Sequence, residues 1–484
     1  MKRPFSFILI ALLLANFAAA QTSPASRPIS AVIQRQEKRP DGSRLSVYSW
    51  TVHSAAPAQP ALKHHLVPRR SEQTAGNAAA LYDVAAMMTH NDQPTTRPDP
   101  SGKGTLDLPD DYLKLPLSEL PLADTESLVQ QHRPKLEHLD FAATRDACHW
   151  DWAIREQGFG AHLPQLGALR PVNKWLCLRT RVHILNGRYD DAVASLRSGF
   201  TLARNIERDG ALINMLVGAG IATSNLDVAR ELSAAPDGPN LYWALTDLPH
   251  PLFRVADSME LERLGVMWIF RNLRRDAPMG QADLDSVVAD IGVTMTWTES
   301  TQSRMMIGVA AAGAYTTAKQ YLIDHGMSEA QVSSLPALQV SLLYFQGTFE
   351  TTFDGLVKWS RAPFWQGYLP MKAAVEAASE PTAVINPLDS LIANVHQAWA
   401  TVTHVDRCLA AQQVVEAIRA YAAANGGKTP SSLDELKDPP APLDPATNKP
   451  FSYEAQGDRF VLSATNTVDR HDLRYEVTLA KGAP

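Results

Sequence analysis

The stretch PVNKWLCLRTRVHILNGRYDDAVASLRSGFTLARNI, residues 171–206, carries the strongest structural signal in the chain. Apolar residues recur at helical spacing on both sides of Asn186-Gly187; they are Trp175, Leu178, Val182 and Leu185 before it, and Ala192, Leu196 and Ala203 after it. Asn and Gly accept the left-handed conformation that commonly ends a helix. The stretch therefore predicts two antiparallel helices, the first opened by Pro171, joined by a tight turn.

The same helical period extends over residues 121–380, where strand-like alternation is nearly absent. A helix is expected from Pro134 through Ala147, and Ser328 suits the N-cap of a later helix. Further helical segments are predicted at 211–233, 257–275, 281–324, 328–346 and 348–359. The expected fold class is mainly α, with residues 121–380 forming an array of helical hairpins.

Residues 381–404 contain Pro381 and Pro387 and are predicted to connect this array to a small α+β module at 405–484. In that module, apolar residues at spacings of three and four up to Ala422 predict a helix, which Asn425-Gly426-Gly427 should end. Three strand-like segments follow at 451–454, 460–463 and 474–479.

The N-terminus has the three parts of a secretory signal peptide. Lys2 and Arg3 precede an apolar stretch at 5–20, which ends in three alanines before Gln21. The alternative is an uncleaved anchor, but 16 residues are short for a membrane span of ~20 residues. We expect residues 1–20 to be removed and the protein to act in the periplasm or outside the cell, with no membrane span after cleavage.

Residues 21–120 are rich in proline and are expected to hold little regular structure. Segments 29–33 and 45–52 flank Pro40-Asp41-Gly42, a pattern compatible with a small hairpin. One helix is predicted at 75–89, followed by a linker at 92–109.

Composition narrows the functional classes. The chain has 484 residues and a formal net charge of −6, which argues against a protein that coats nucleic-acid phosphates. Its three cysteines are Cys148, Cys177 and Cys408. Either Cys148 and Cys177 form a disulfide bond or all three are buried free thiols, and the sequence does not separate these alternatives.

Motifs for common chemistries are missing from the sequence: there is no HExxH, no paired CxxC and no GxSxG. Asp146 and His149 are three residues apart on the predicted helix, but zinc needs three or four ligands, so they are weak metal candidates. Carboxylates in the helical region could serve a hydrolase if two of them faced one cleft. These are Glu260, Glu262, Glu299 and Glu350, and solvated helix faces are the favoured interpretation.

Aromatic residues are dense at 242–243, 268–270, 344–345 and 359–368. Because they lie among apolar residues at helical spacing, helix-packing core is the favoured interpretation. The alternative is a recognition groove for a peptide or a glycan.

Gly187-Arg188-Tyr189-Asp190-Asp191-Ala192, with Leu196 and Gly199, resembles the second half of a tetratricopeptide repeat. No clear second copy follows at ~34 residues, so an ordinary αα-hairpin is the favoured interpretation.

A second resemblance covers residues 405–470 and is to the globular part of type II secretion pseudopilins. The residues that carry it are Tyr421, Gly426, Pro430, Leu433, Leu436, Asp444-Pro445, Lys449-Pro450, Tyr453 and Phe460. Pseudopilins begin with a long apolar helix, whereas residues 380–404 are polar, so a reused module is implied and filament assembly is not. The resemblance also implies a calcium site in a late acidic loop, for which Asp469 and Asp472 are weak candidates.

The whole layout resembles uncharacterised secreted bacterial helical proteins, through 148–152, 187–204 and 239–249. That resemblance implies no activity and no cofactor. We therefore expect a non-enzymatic interaction or scaffold protein of the cell envelope with a protein partner; the alternative is a hydrolase acting on an envelope polymer.

Overall fold

The computed structural model describes residues 29–40, 43–90, 96–98, 105–160, 163–296, 300–379, 386–465 and 471–481. The predicted signal peptide at 1–20 and the calcium candidate Asp469 lie outside the described residues. The chain is mainly helical and has a small mixed sheet, which confirms the predicted mainly α fold class.

The helices of the first half are α1 (Ala78–His90), α2 (Asp110–Lys114), α3 (Leu122–Gln131), α4 (Arg133–Ala143), α5 (Ile154–Gln157), α6 (Pro164–Leu185), α7 (Tyr189–Glu207), α8 (Leu212–Ala234) and α9 (Tyr242–Thr246). Those of the second half are α10 (Val255–Met267), α11 (Gln281–Thr296), α12 (Thr301–Asp324), α13 (Glu329–Ser334), α14 (Ala337–Ser360), α15 (Phe364–Ser379), α16 (Asp389–Ile392) and α17 (Val395–Ala424). The strands are β1 (Ile33–Lys38), β2 (Arg44–Val52), β3 (Thr74–Asn77), β4 (Thr96–Pro98), β5 (Thr105–Asp107), β6 (Arg145–Ala147), β7 (Ser452–Gln456), β8 (Arg459–Ala464) and β9 (His471–Leu479).

The hairpin predicted at 171–206 is confirmed as α6 and α7. Gly187 adopts φ = 69°, and the N–H of Arg188 donates to the carbonyl of His183 over 2.8 Å. Pro171 does not open α6, as the sequence suggested, but lies inside it. One missing N–H does not end a helix whose apolar face continues to pack, and Val172 is fully buried.

Several predicted helix boundaries are wrong. Helix α4 ends at Ala143 instead of running through Ala147, because residues 145–147 form β6, which pairs in parallel with β3. The segment 328–360 breaks at Pro336, which caps α14. The cap at Ser328 is confirmed, since its side chain accepts from the N–H of Gln331.

The sheet joins both ends of the chain. Its strand order is β1-β2-β9-β8-β7, with β2 parallel to β9 and the other neighbours antiparallel. The hairpin that the sequence allowed within residues 29–52 is therefore present, and so are the three predicted C-terminal strands. All five strands belong to one sheet. One apolar cluster includes residues from Tyr48 to Leu479 and so draws on all three predicted regions, 21–120, 121–380 and 405–484, whose division stays a prediction.

Helix α8 lies at the centre of the array. Among the described residues, α8 is the helix that is long and apolar enough to cross a membrane. The sequence analysis predicted no membrane span after cleavage of the signal peptide. Helix α8 packs on α6, α7 and α17, and 56% of its apolar window is buried inside the protein. Its Arg230 stacks 3.9 Å from the ring centroid of Tyr48 and donates to the hydroxyl of Tyr475, which attaches α8 to β2 and β9.

Helix α17 connects the array to the sheet through fully buried arginines. Arg419 donates to the carbonyls of His53 and Gly238 over 2.8 and 2.7 Å, and to the carboxylate of Glu416 over 2.7 Å. Glu416 in turn accepts from the N–H of Leu241 over 3.1 Å. This one ion pair therefore fixes α17, the segment after β2 and the loop before α9.

We predict that Arg419→Met lowers the free energy of unfolding by about 3–5 kcal/mol, because it leaves the buried carboxylate of Glu416 without its cation. Urea denaturation followed by circular dichroism measures this change. The double variant Arg419→Met/Glu416→Leu should recover part of the loss, since no buried charge then remains. Arg274→Ala, at an exposed ion pair, is the matched control. An Arg419→Met variant as stable as this control would contradict the prediction.

Candidate functional site

A groove with a volume of about 990 Å³ lies along one face of α17. Its floor consists of five α17 residues at spacings of three and four, which places them on one side of a helix. They are Trp399, Thr403, Asp406, Ala410 and Gln413. We call this cavity, together with its walls described next, the α17 groove.

Three loops form the walls of the α17 groove. They are residues 249–256 between α9 and α10, residues 360–365 between α14 and α15, and residues 442–448 before β7. Proline is present in each of them, and the prolines are Pro249, Pro251, Pro363, Pro442 and Pro445. Because proline restricts the backbone, the shape of the groove is largely formed before any ligand arrives.

The aromatic segments contribute mainly core, as predicted, with one exception. Phe364 and Tyr368 are buried, and Phe364 packs edge-on against Trp399 with ring centroids 5.2 Å apart. Trp365, by contrast, is 44% exposed, and Leu443 on the wall formed by 442–448 is 47% exposed. Trp365 also borders a second cavity of about 430 Å³ that reaches Ser452 at the start of β7.

Asp406 is the acidic residue of the groove floor that keeps an available oxygen. One carboxylate oxygen accepts from the backbone N–H of Leu252 over 2.9 Å, and its other oxygen has no partner among the described residues. The residue is 8% exposed. Burial raises the pKa of the Asp406 carboxyl to about 7, and the hydrogen bond from Leu252 opposes this shift.

Asp444, the other acidic residue of the groove lining, is already neutralised. Its two oxygens accept from Arg407 over 3.0 and 3.1 Å, and one of them also accepts from the N–H of Ala446 over 2.9 Å. A carboxylate held in this way orders the loop 442–448 and has little capacity left for a ligand.

The wall at residues 249–256 is held by two carboxylates. Besides the bond from Leu252 to Asp406, the N–H of Arg254 donates to Glu207 over 2.6 Å. Burial raises the pKa of Glu207 to about 7, against the effect of this hydrogen bond. The charges on the rim are paired as well, Arg254 with Asp257 at 3.2 Å and Arg361 with Glu260 at 2.8 Å.

The structure does not gather the predicted metal candidates into a site. Asp146 lies on β6, not on a helix, and accepts from the N–H of Gly76 over 3.0 Å, while exposed His149 contacts Asp209 at 3.3 Å. Asp472 is buried and paired with Arg39, a cation of the chain itself. Within the described ranges, no three His, Cys, Asp or Glu side chains are arranged to hold a metal ion.

The cysteine alternatives are resolved in favour of free thiols, since Cys148, Cys177 and Cys408 are all buried and unbridged. Burial raises the pKa of Cys148 and of Cys177 to about 12. Thiols this far from ionisation are poor nucleophiles at neutral pH, which is consistent with a packing role.

Three carboxylates considered for a hydrolase, Glu260, Glu262 and Glu350, are not part of the described lining of the α17 groove, and Glu299 lies outside the described residues. Glu262 accepts from the N–H of Leu212 over 3.1 Å, and Glu260 pairs with Arg361. Sequence reasoning missed Asp406 and the exposure of Trp365. The available signal was an Asp-Arg pair, residues 406–407, between the apolar residues Val405 and Cys408-Leu409 of the helical stretch.

Comparisons of the chain with protein families, with curated proteins and with solved structures found no match. The resemblances to secreted helical proteins and to pseudopilins stay predictions, and the site must be interpreted from its own geometry.

We predict that Asp406→Asn makes stability less dependent on pH. The folded pKa lies above the unfolded value, so the folded state binds more protons between about pH 4 and 7, and stability falls as pH rises through this range. Asn keeps the acceptor for Leu252 and cannot ionise. The difference in unfolding free energy between pH 5 and pH 8 should therefore shrink by about 2 kcal/mol. Urea titrations at both pH values measure it.

The control for that experiment is Glu454→Gln, because Glu454 is exposed on β7. It should leave the pH dependence as in the wild type. Equal pH dependence in the wild type and in Asp406→Asn would show that burial does not shift this carboxyl.

We predict that calcium does not stabilise the fold through Asp472, because the guanidinium of Arg39 already occupies its carboxylate. The thermal midpoint should be the same in 5 mM CaCl2, a concentration about 5- to 50-fold above the Kd of ~0.1–1 mM of extracellular calcium modules, and in excess EGTA. A midpoint that rises with calcium would restore the calcium site implied by the pseudopilin resemblance.

Proposed function

We propose that this chain is a non-enzymatic interaction protein of the cell envelope, exported by its N-terminal segment, and that it binds a protein partner in the α17 groove. The observation that carries the proposal is the exposed apolar rim of a preformed groove, with Trp365 and Leu443 on two of its walls. Large apolar side chains exposed beside a concave surface are typical of binding sites.

The electrostatics of the groove also support binding over hydrolysis. Glycoside hydrolysis uses two carboxyl groups across the scissile bond. In the described lining of the α17 groove, Asp444 is held by two of the three guanidinium nitrogens of Arg407, which leaves Asp406 as the carboxylate with a free oxygen. The raised pKa of Asp406 is the one observation that favours the hydrolase, since a general acid has this property.

We predict that Trp365→Ala reduces recovery of a specific envelope partner at least tenfold. The experiment is a pull-down from envelope extract with residues 21–484 as bait. Truncating an exposed tryptophan at the edge of a binding groove removes a residue type that often dominates interface energy. Leu443→Ser, on another wall, should weaken capture of the same partner.

The matched control is Phe141→Ser, which removes an exposed ring of α4 outside the groove lining. Partner recovery that is unchanged by Trp365→Ala and Leu443→Ser would place binding elsewhere. Release of soluble fragments from an envelope polymer, lost in Asp406→Asn, would favour the hydrolase.

A further inference from the structure

The floor of the α17 groove presents one carboxylate that the protein leaves partly unused. Asp406 is more than nine-tenths buried, and only one of its oxygens has a partner, the N–H of Leu252. A buried carboxylate is normally paired with a cation or fully hydrogen-bonded. The second oxygen of Asp406 is not among the enclosed polar atoms that lack a partner, so it opens to the groove, where a donor from outside the chain can reach it.

The charged groups that face Asp406 do not neutralise it. On the wall at residues 249–256, burial lowers the pKa of His250, and Arg254 pairs with Asp257. Across the groove Arg361 pairs with Glu260. The next residue of α17, Arg407, is turned to Asp444. When it is ionised, Asp406 is thus a carboxylate without a cation in the described lining, and charge complementarity favours a cation.

We propose that the α17 groove binds a lysine or arginine side chain of an extended protein segment, with the cationic group on the free oxygen of Asp406. The inference rests on the proposed function, because it names the partner chemistry of the same groove. The apolar stem of such a side chain would lie over the floor beside Ala410, one turn from Asp406, and Trp365 and Leu443 on the rim offer apolar contacts to the neighbours of the basic residue.

An uncharged glycan fits the groove less well. A sugar ring needs several hydrogen-bonding groups, whereas part of the polar floor is already engaged, since the amide of Gln413 donates to Thr246 over 3.3 Å. The prolines and Leu443 of the walls offer apolar contact instead. Peptide and glycan are distinguished by the experiment below.

The probe is the peptide acetyl-Pro-Leu-Arg-Leu-Pro-amide. The control peptide has citrulline in place of arginine, because citrulline is isosteric with arginine but uncharged. Isothermal titration calorimetry with residues 21–484 at pH 8 should give at least tenfold tighter binding of the arginine peptide. This preference should vanish in Asp406→Asn, which retains the acceptor for Leu252, and persist in Phe141→Ser. Melting curves confirm that each variant is folded.

Binding of the arginine peptide should also depend on pH, because the cation binds Asp406 in its ionised form. A protonated Asp406 must first lose its proton. With the pKa of Asp406 near 7, affinity for the arginine peptide should fall about tenfold or more from pH 8 to pH 5.5, while affinity for the citrulline peptide stays constant. This measurement needs no variant and so does not depend on the folding of Asp406→Asn.

Three results would overturn the inference: equal affinity for the two peptides, no binding of either, or binding of tetra-N-acetylchitotetraose alone. If one of these results is found but the Trp365→Ala variant still loses capture of the partner, the groove remains the binding site. In that case only the proposed recognition of a basic side chain is wrong. If capture is also unaffected by the groove variants, the proposed function fails as well.

Discussion

Two buried guanidinium groups on α17 hold this molecule together. Arg419 binds the carbonyl of His53, after β2, and that of Gly238, before α9, while Arg407 binds Asp444 and the carbonyl of His471 at the start of β9. A guanidinium has five donors in a rigid plane, so one side chain can fix several carbonyls in place. Because these carbonyls come from distant parts of the sequence, the two arginines determine how the N-terminal strands, the helical array and the C-terminal strands meet.

The parallel pairing of β2 with β9 follows from the same arrangement. Parallel neighbours require a crossover, and here the crossover is the entire helical array between residues 52 and 471. The sheet therefore combines strands that precede and follow the helical array in the sequence. Its inner face packs on α8 and α17, with Tyr48 and Tyr475 against Arg230. The floor of the α17 groove is formed by residues of α17 other than Arg407 and Arg419, so it belongs to a helix that also contacts the sheet.

Local signals predicted the local structure well. Asn186-Gly187 and the cap at Ser328 placed real helix ends, because caps act through a few neighbouring residues. The prediction that Pro171 opens a helix is wrong, because the packing of Val172 and its neighbours outweighs the loss of one hydrogen bond. The pairing of β2 with β9, and the presence of Asp406 and Trp365 in the lining of one groove, bring together residues far apart in sequence, and no periodicity encodes such proximity. Asp146 and His149 were grouped on a helix that ends before both of them.

The charge on Asp406 has no evident role in the fold. The N–H of Leu252 needs an acceptor, and the amide oxygen of an asparagine would supply one without the desolvation of a carboxylate. Each of the other buried acids of α17 and its surroundings has a cation within reach, as Glu416 has Arg419 and Asp444 has Arg407. A carboxylate that weakens folding at neutral pH, faces a groove and lacks a cation is more easily explained by what enters the groove than by what surrounds it. The unpaired oxygen of Asp406 thus connects the energetics of the fold to the proposed recognition of a basic side chain.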